Sequence, residues 1–171
     1  MIKGARIPRS LPVLLIAAFY SFIVLGLPDG MMGVAWPSMS EAFGQPLGAL
    51  GILMLCFTLG YLSTSLSVGL TARRIGYAAL FTLAAGAMLT GGFGLAVAPT
   101  WLLALGAAAV LGAGAGWLDA GLNAYGAAYF RPRDLNWLHA FYGVGATLGP
   151  AVMTPIVASR LSWRLGYAAF S

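Results

Sequence analysis

Charge is what this sequence has least of. Only 8% of its 171 residues are Asp, Glu, Lys or Arg, against roughly 25% in a soluble domain. With 60% hydrophobic residues, the chain cannot cover a surface that faces water, and a soluble globular fold is excluded. Cysteine is nearly absent: Cys56, in an apolar run, has no second thiol to pair with, so there is no disulfide framework and no thiolate metal site. His139 is the sole histidine. One histidine and one cysteine on different segments give neither a metal cluster nor a nucleophile with its base, so an intramembrane enzyme is not expected, and no cofactor is implied. No stacking platform of interleaved aromatic and basic residues appears, which sets nucleic acid aside as a partner. The net charge of +5 then reads as an orientation signal in short loops.

What is present is long apolar sequence. A helical span needs about 20 apolar residues, so the chain holds about six spans with short loops and no soluble domain. Apolar stretches run near 11–39, 47–68, 77–98, 100–130 and 136–158, and a sixth begins at Gly166 and stops at Ser171. Gln45-Pro46, Arg73-Arg74, Ala98-Pro99, Arg131 to Asp134 and Arg160 to Arg164 separate them as breaker or charge signals. The runs are continuous rather than alternating, which selects helices over β-barrel strands. Lys3, Arg6 and Arg9 before the first stretch imitate a signal peptide. The run continues without a small-x-small cleavage site, so it reads as a retained first helix.

With the N-terminus cytoplasmic, the inner side carries Lys3, Arg6, Arg9, Arg73, Arg74, Arg131 and Arg133, and the outer side only Arg160 and Arg164. That bias favours N-in. A shift of 90 residues lays RIGYAALF (Arg74 to Phe81) on RLGYAAFS (Arg164 to Ser171), five identities in eight, and Asp29 on Asp119. The expectation is a repeat every three helices, 1–90 and 91–171. An odd number of helices forces the second copy to enter from the opposite face, which accounts for the outer arginines.

Charges inside such spans are costly: an unpaired carboxylate costs at least about 2.5 kcal/mol at mid-membrane, so it must face a cavity, pair, or be protonated. Asp29 and Asp119 are the two to explain. Asp29 either caps a helix break made by Pro28 and Gly30, near water, or lines a pathway. Asp119 either holds the bundle through an interhelical hydrogen bond or, with Asn123 one turn on along the same face, forms a pathway wall. His139, which titrates near neutrality when unperturbed, is either a packing residue or a proton relay. Trp117 and Tyr142 lie deeper than the other aromatics and either fill core or stack on a sugar. Trp36, Trp101, Trp137 and Trp163, near helix ends, are expected as interfacial anchors. Gly112, Gly114, Gly116 and Ala120, and Gly145, Gly149 and Pro150, follow the small-xxx-small spacing that lets helices approach closely. Pro150 is expected to bend the fifth helix.

The three-plus-three inverted repeat resembles a six-helix half of the major facilitator superfamily. That likeness implies an all-α membrane fold: an N-terminal bundle over 1–171 with a truncated sixth helix, and a C-terminal six-helix bundle expected in the full-length chain. WLDAGLN (Trp117 to Asn123), followed by LNWLHAFYGVGATLGP (Leu135 to Pro150), resembles the fucose:proton symporter branch. In that branch an acid and an Asn one turn later match Asp119 and Asn123, the Leu-Asn start of the next helix matches Leu135-Asn136, and a following polar position falls on His139. The branch's first-helix acid would fall on Gly33, one turn beyond Asp29. Of the superfamily's Gly-x-x-x-Asp-Arg-x-Gly-Arg loop, Gly69, Arg74 and Gly76 match, while Arg73 replaces the acid. Gly145-xxx-Gly149-Pro150 is similar to the antiporter signature of drug exporters, without the glycine pair that should follow.

The resemblance implies a secondary transporter of the bacterial inner membrane that carries a small polar solute such as a sugar, with protons, by alternating access. The alternatives are a drug-type exporter of the same superfamily and a membrane-embedded binding or sensory protein that does not transport.

Overall fold

The computed structural model describes residues 11–171, with only the backbone of Leu11; the basic residues Lys3, Arg6 and Arg9 lie outside the described residues. Helix α1 spans Leu11–Ala42. A single helical run, Leu50–Val97, is broken at Gly76, whose φ of 80° and ψ of 162° are non-helical. This is a conformation open essentially to glycine alone, and it divides the run into α2 (50–75) and α3 (77–97). Helices α4 (Trp101–Tyr129), α5 (Pro132–Ala158) and α6 (Arg164–Phe170) follow. Four helical segments, with α2 and α3 counted as one, are long and apolar enough to cross a membrane.

Several helix ends differ from the sequence expectation, each for a local reason. The first helix runs without a break through Pro28, Asp29 and Gly30 to Ala42, so Asp29 does not cap a break. In a membrane, neighbouring helices and side chains re-satisfy what a proline removes. Helix α1 stops at Gly44, whose φ is 62°, where Gln45 N–H donates to Ser40 C=O at 2.8 Å across the terminal turn. Helix α2 carries Gly69, Arg73 and Arg74 as helical residues up to the Gly76 joint rather than in a loop. Helix α5 begins at Pro132, not at Asn136. Proline suits a first turn, where its missing N–H would be unpaired anyway, and Asp134 accepts from the Arg131 N–H at 3.2 Å.

Packing is organised by glycine. On the α1/α5 seam, Gly145 lies against the Ile23 carbonyl, Gly149 against Leu27 and Met31, and Gly26 and Gly30 against the backbone of Tyr142 and Ala146. On the α2/α4 seam, Gly60 faces the Ala109 carbonyl, Gly112 that of Phe57 and Gly116 that of Tyr61. Gly91 and Gly114 bring α3 onto α4. In each case a Cβ would collide with main-chain atoms that have nowhere to go. Gly69, by contrast, has open space around it. Gly166 of α6 rests on Met31 and Met153, and Tyr167 beside it is fully buried with its hydroxyl 3.4 Å from the Met32 sulfur.

At the end of the bundle opposite Gly76, an aromatic cluster ties the three loops together. Trp36 packs on Trp101, Trp101 on Phe43 and Phe43 on Trp163, with ring centroids 5.8–5.9 Å apart. The Arg164 guanidinium sits 4.6 Å from the Trp163 ring and donates to the Ala96 carbonyl at 2.8 Å, at the C-terminal end of α3. A cation there satisfies a terminal carbonyl and meets the negative end of the helix dipole. Trp36 and Trp163 are each only 4% exposed, so they are not the interfacial anchors their positions suggested. Trp36 also donates its indole N–H to the Leu47 carbonyl at 2.7 Å. Trp137, 54% exposed, remains free to meet an interface.

The seams give a paired test. Gly145→Ala places a methyl on the Ile23 carbonyl and is expected to destabilise the protein by about 1–3 kcal/mol, the usual range for overpacking. Gly143→Ala, where nothing lies within 4 Å, is expected to be neutral or slightly stabilising, because it removes a helix-interior glycine. Thermal unfolding of the purified protein in detergent checks both.

Candidate functional site

The close seams set two helices' side chains within reach of one another, and at two places the result is a tyrosine on a carboxylate. Tyr61 of α2 donates its hydroxyl to Asp119 Oδ2 on α4. Tyr142 of α5 donates to Asp29 Oδ2 on α1. Asp29 and Asp119 stand 90 residues apart, as do Gly26 and Gly116, the glycines seated on the backbone of Tyr142 and of Tyr61. The tyrosines are 81 apart, and so are Thr64 and Gly145. Thr64 donates its hydroxyl to the Ala113 carbonyl at 2.7 Å, where Gly145 merely touches that of Ile23; Ile23 and Ala113 are again 90 apart. One arrangement therefore recurs on the two seams.

Both pairs face one open cavity of about 410 Å³, whose wall includes Phe22, Phe57, Thr58 and His139. Among the described residues the cavity wall has two carboxylates and no Lys or Arg. Hydrogen bonding distinguishes the acids. Asp119 is half-buried and has both oxygens engaged, since the Asn123 side-chain amide donates to Oδ1 at 2.8 Å and to the Asp119 main-chain carbonyl at 3.0 Å. Asp29 is exposed, and among the described residues no donor reaches its Oδ1. Tyrosine hydroxyls both donate and accept, so each can serve an ionised or a protonated carboxyl without losing the bond.

The other residues singled out from sequence fall in different places. His139 is exposed on the cavity wall, edge-on to Phe22 with centroids 5.7 Å apart. Trp117 lies away from the cavity and donates its indole N–H to Ser67 at 3.3 Å. Asn136 is exposed in the second turn of α5, apart from the acids. Pro150 abuts Gly30 on the α1/α5 seam. Gly76 is the α2/α3 joint, and Arg74 is exposed two residues before it.

A family model, the Major Facilitator Superfamily, matches residues 14–171. The chain belongs to that superfamily. It is thus a multi-pass membrane protein of a transporter family, built to sit in a bilayer and to handle a small-molecule solute, and the family's members are not enzymes. Neither a curated protein nor a solved structure matches the chain significantly.

Sequence reasoning reached Asp29, Asp119, Asn123, His139 and Tyr142 and missed Tyr61, Phe57, Thr58 and Phe22. A signal for Tyr61 existed. An offset of 90 lays Asp29 on Asp119 and Arg74 on Arg164, whereas an offset of 81 lays Tyr61 on Tyr142.

Removing a partner from a charged group in a poorly solvated place costs more than an ordinary hydrogen bond. Tyr61→Phe is expected to lower stability by about 1–3 kcal/mol. In Asp119→Asn the same tyrosine change should cost less, because the amide needs its partner less than a carboxylate does. A double-mutant cycle on thermal unfolding measures the coupling.

Proposed function

We infer that the protein is a secondary active transporter that moves a small polar solute, such as a sugar, together with protons by alternating access. The single observation that supports this reading is the common cavity holding two tyrosine-bonded carboxylates with no Lys or Arg among the described residues of its wall. A carboxylate deep in a bundle without a positive partner is costly to keep, and a group retained at such a cost at a cavity wall is suited to carry a cation. Asp119 fits the proton. Its two oxygens are both held, and its tyrosine partner can reverse from donor to acceptor as a proton arrives, so both states are accommodated without moving a helix.

The same reading assigns the N-terminal bundle of a larger transporter to this chain. The recurrence of the tyrosine–carboxylate contact on the α1/α5 and α2/α4 seams supports two three-helix repeats, α1–α3 and α4–α6, related by a pseudo-two-fold axis in the membrane plane. An apolar groove of about 540 Å³ between α1, α3 and α4, bordered by Phe170, is shaped to take a longer sixth helix. A second six-helix bundle would close the cavity, with solute held between the two halves. The positive-inside bias supports a cytoplasmic N-terminus, and a bacterial inner membrane is the location this reading assigns.

Two experiments test this. In the full-length protein reconstituted in vesicles, a panel of radiolabelled monosaccharides should include one accumulated against its gradient and lost on adding a protonophore. Asp119→Asn should abolish accumulation while leaving solute exchange, because exchange needs the binding site but not the proton. Accumulation at the wild-type level by Asp119→Asn removes the proton role. For topology, cysteines placed at positions 73 and 164 should label from opposite sides; labelling from one side disproves the inverted repeat.

A further inference from the structure

The two carboxylates look equivalent in sequence, and their hydrogen bonding makes them different. Asp119 has a side-chain donor on each oxygen: Tyr61 on Oδ2 and the Asn123 amide on Oδ1. Asp29 is held on one side only. Tyr142 takes Oδ2, the carboxyl is exposed, and among the described residues Oδ1 has no donor. A carboxylate fixed through one oxygen and open at the other is a preorganised acceptor, and a partner binding there gains a charge-assisted hydrogen bond without first displacing a side chain.

The surroundings indicate what that partner is. Half-buried Phe57 gives the cavity apolar ring surface, backed by the fully buried Phe22, and His139 stands edge-on to Phe22. The Thr58 hydroxyl spends its proton on the Met54 carbonyl at 2.8 Å, so toward the cavity it is an acceptor. Acceptors from Asp29 and Thr58 beside the Phe57 ring fit a molecule with hydroxyl donors around an apolar C–H face.

We propose that Asp29, positioned by Tyr142, is the solute contact of this cavity and accepts a hydroxyl of a neutral polyhydroxy solute on Oδ1, leaving the proton to Asp119. This rests on the transport reading above and divides its two tasks between the two acids. Asp29 is the binding residue; Tyr142 acts through it by fixing the carboxyl so that one oxygen faces the cavity. The sequence likeness had placed the first-helix acid at Gly33, and Gly33 has no atom within 4 Å of where a side chain would start.

Modification of the full-length protein in membrane vesicles by an N-alkylisoxazolium salt, a reagent that attacks ionised carboxylates, tests the assignment. Read by peptide mass spectrometry, it is expected to modify Asp29, exposed with one oxygen open, and to spare Asp119, whose oxygens are both held. A pool of neutral pentoses, hexoses and hexitols should slow Asp29 modification by about tenfold once a bound member exceeds its dissociation constant by about tenfold. A matched pool of quaternary alkylammonium ions, which cannot react with an activated carboxyl, should give no protection. Tyr142→Phe should raise the half-protecting concentration by about tenfold or more, the loss expected when a carboxylate's positioning bond is removed. A merely structural tyrosine would lower the unfolding temperature and leave that concentration unchanged. Modification and protection at Asp119 instead of Asp29, protection by the ammonium ions, or protection by neither pool overturns the proposal. The Asp119→Asn protein separates it from the transport reading. If that variant still concentrates solute, the proton role falls; protection at Asp29 stands or fails independently.

Discussion

Everything in this bundle depends on main chain touching main chain. Along α1/α5 and α2/α4 the glycines lie on the carbonyls of the facing helix, closer than any side chain permits. In lipid there is little hydrophobic force between helices, since hydrocarbon surrounds them in any arrangement, and close van der Waals packing takes its place. The seams therefore fix helix positions to within less than a methyl group.

That proximity creates the polar chemistry. A tyrosine on one helix reaches a carboxylate on its neighbour only because the backbones are so near, and Thr64 reaches the Ala113 carbonyl across the same seam. The cost of placing Asp29 and Asp119 in apolar sequence is offset by these bonds and by the shared cavity, where water or solute can meet what the protein leaves open. Where the two seams differ, they differ in satisfaction: Asn123 completes Asp119, and nothing described completes Asp29. Two carboxylates that each meet a tyrosine across a like seam can thus do different work.

At the far end a second principle operates. Arg164, a charge in an otherwise apolar neighbourhood, lies on the Trp163 and Phe43 rings and donates to the last turn of α3. The aromatic cluster joins three loops that the glycine seams do not reach. The tryptophans there serve the protein interior, where their amphipathic character binds an indole N–H to a loop carbonyl instead of to lipid headgroups.

The sequence by itself determined that this is a helical membrane protein, because 8% charge and continuous apolar runs admit no other solvent. It also determined the number of helical segments and marked Asp29, Asp119, Asn123, His139 and Tyr142, since polar groups are conspicuous where almost nothing is polar. Helix ends were less legible: the turn at Gly76 and the start at Pro132 depend on backbone conformation and on a cap, not on hydropathy. Burial of Trp36 and Trp163 was illegible, because a tryptophan near a helix end has the same pattern whether it faces lipid or a neighbouring loop. Only the tertiary structure decided that Tyr61 belongs with Asp119 and that Asp29 keeps one oxygen open. Both facts arise from side chains 58 and 113 residues apart meeting across a seam, and a one-dimensional pattern carries neither the distance nor the hydrogen-bond count that makes them chemically distinct.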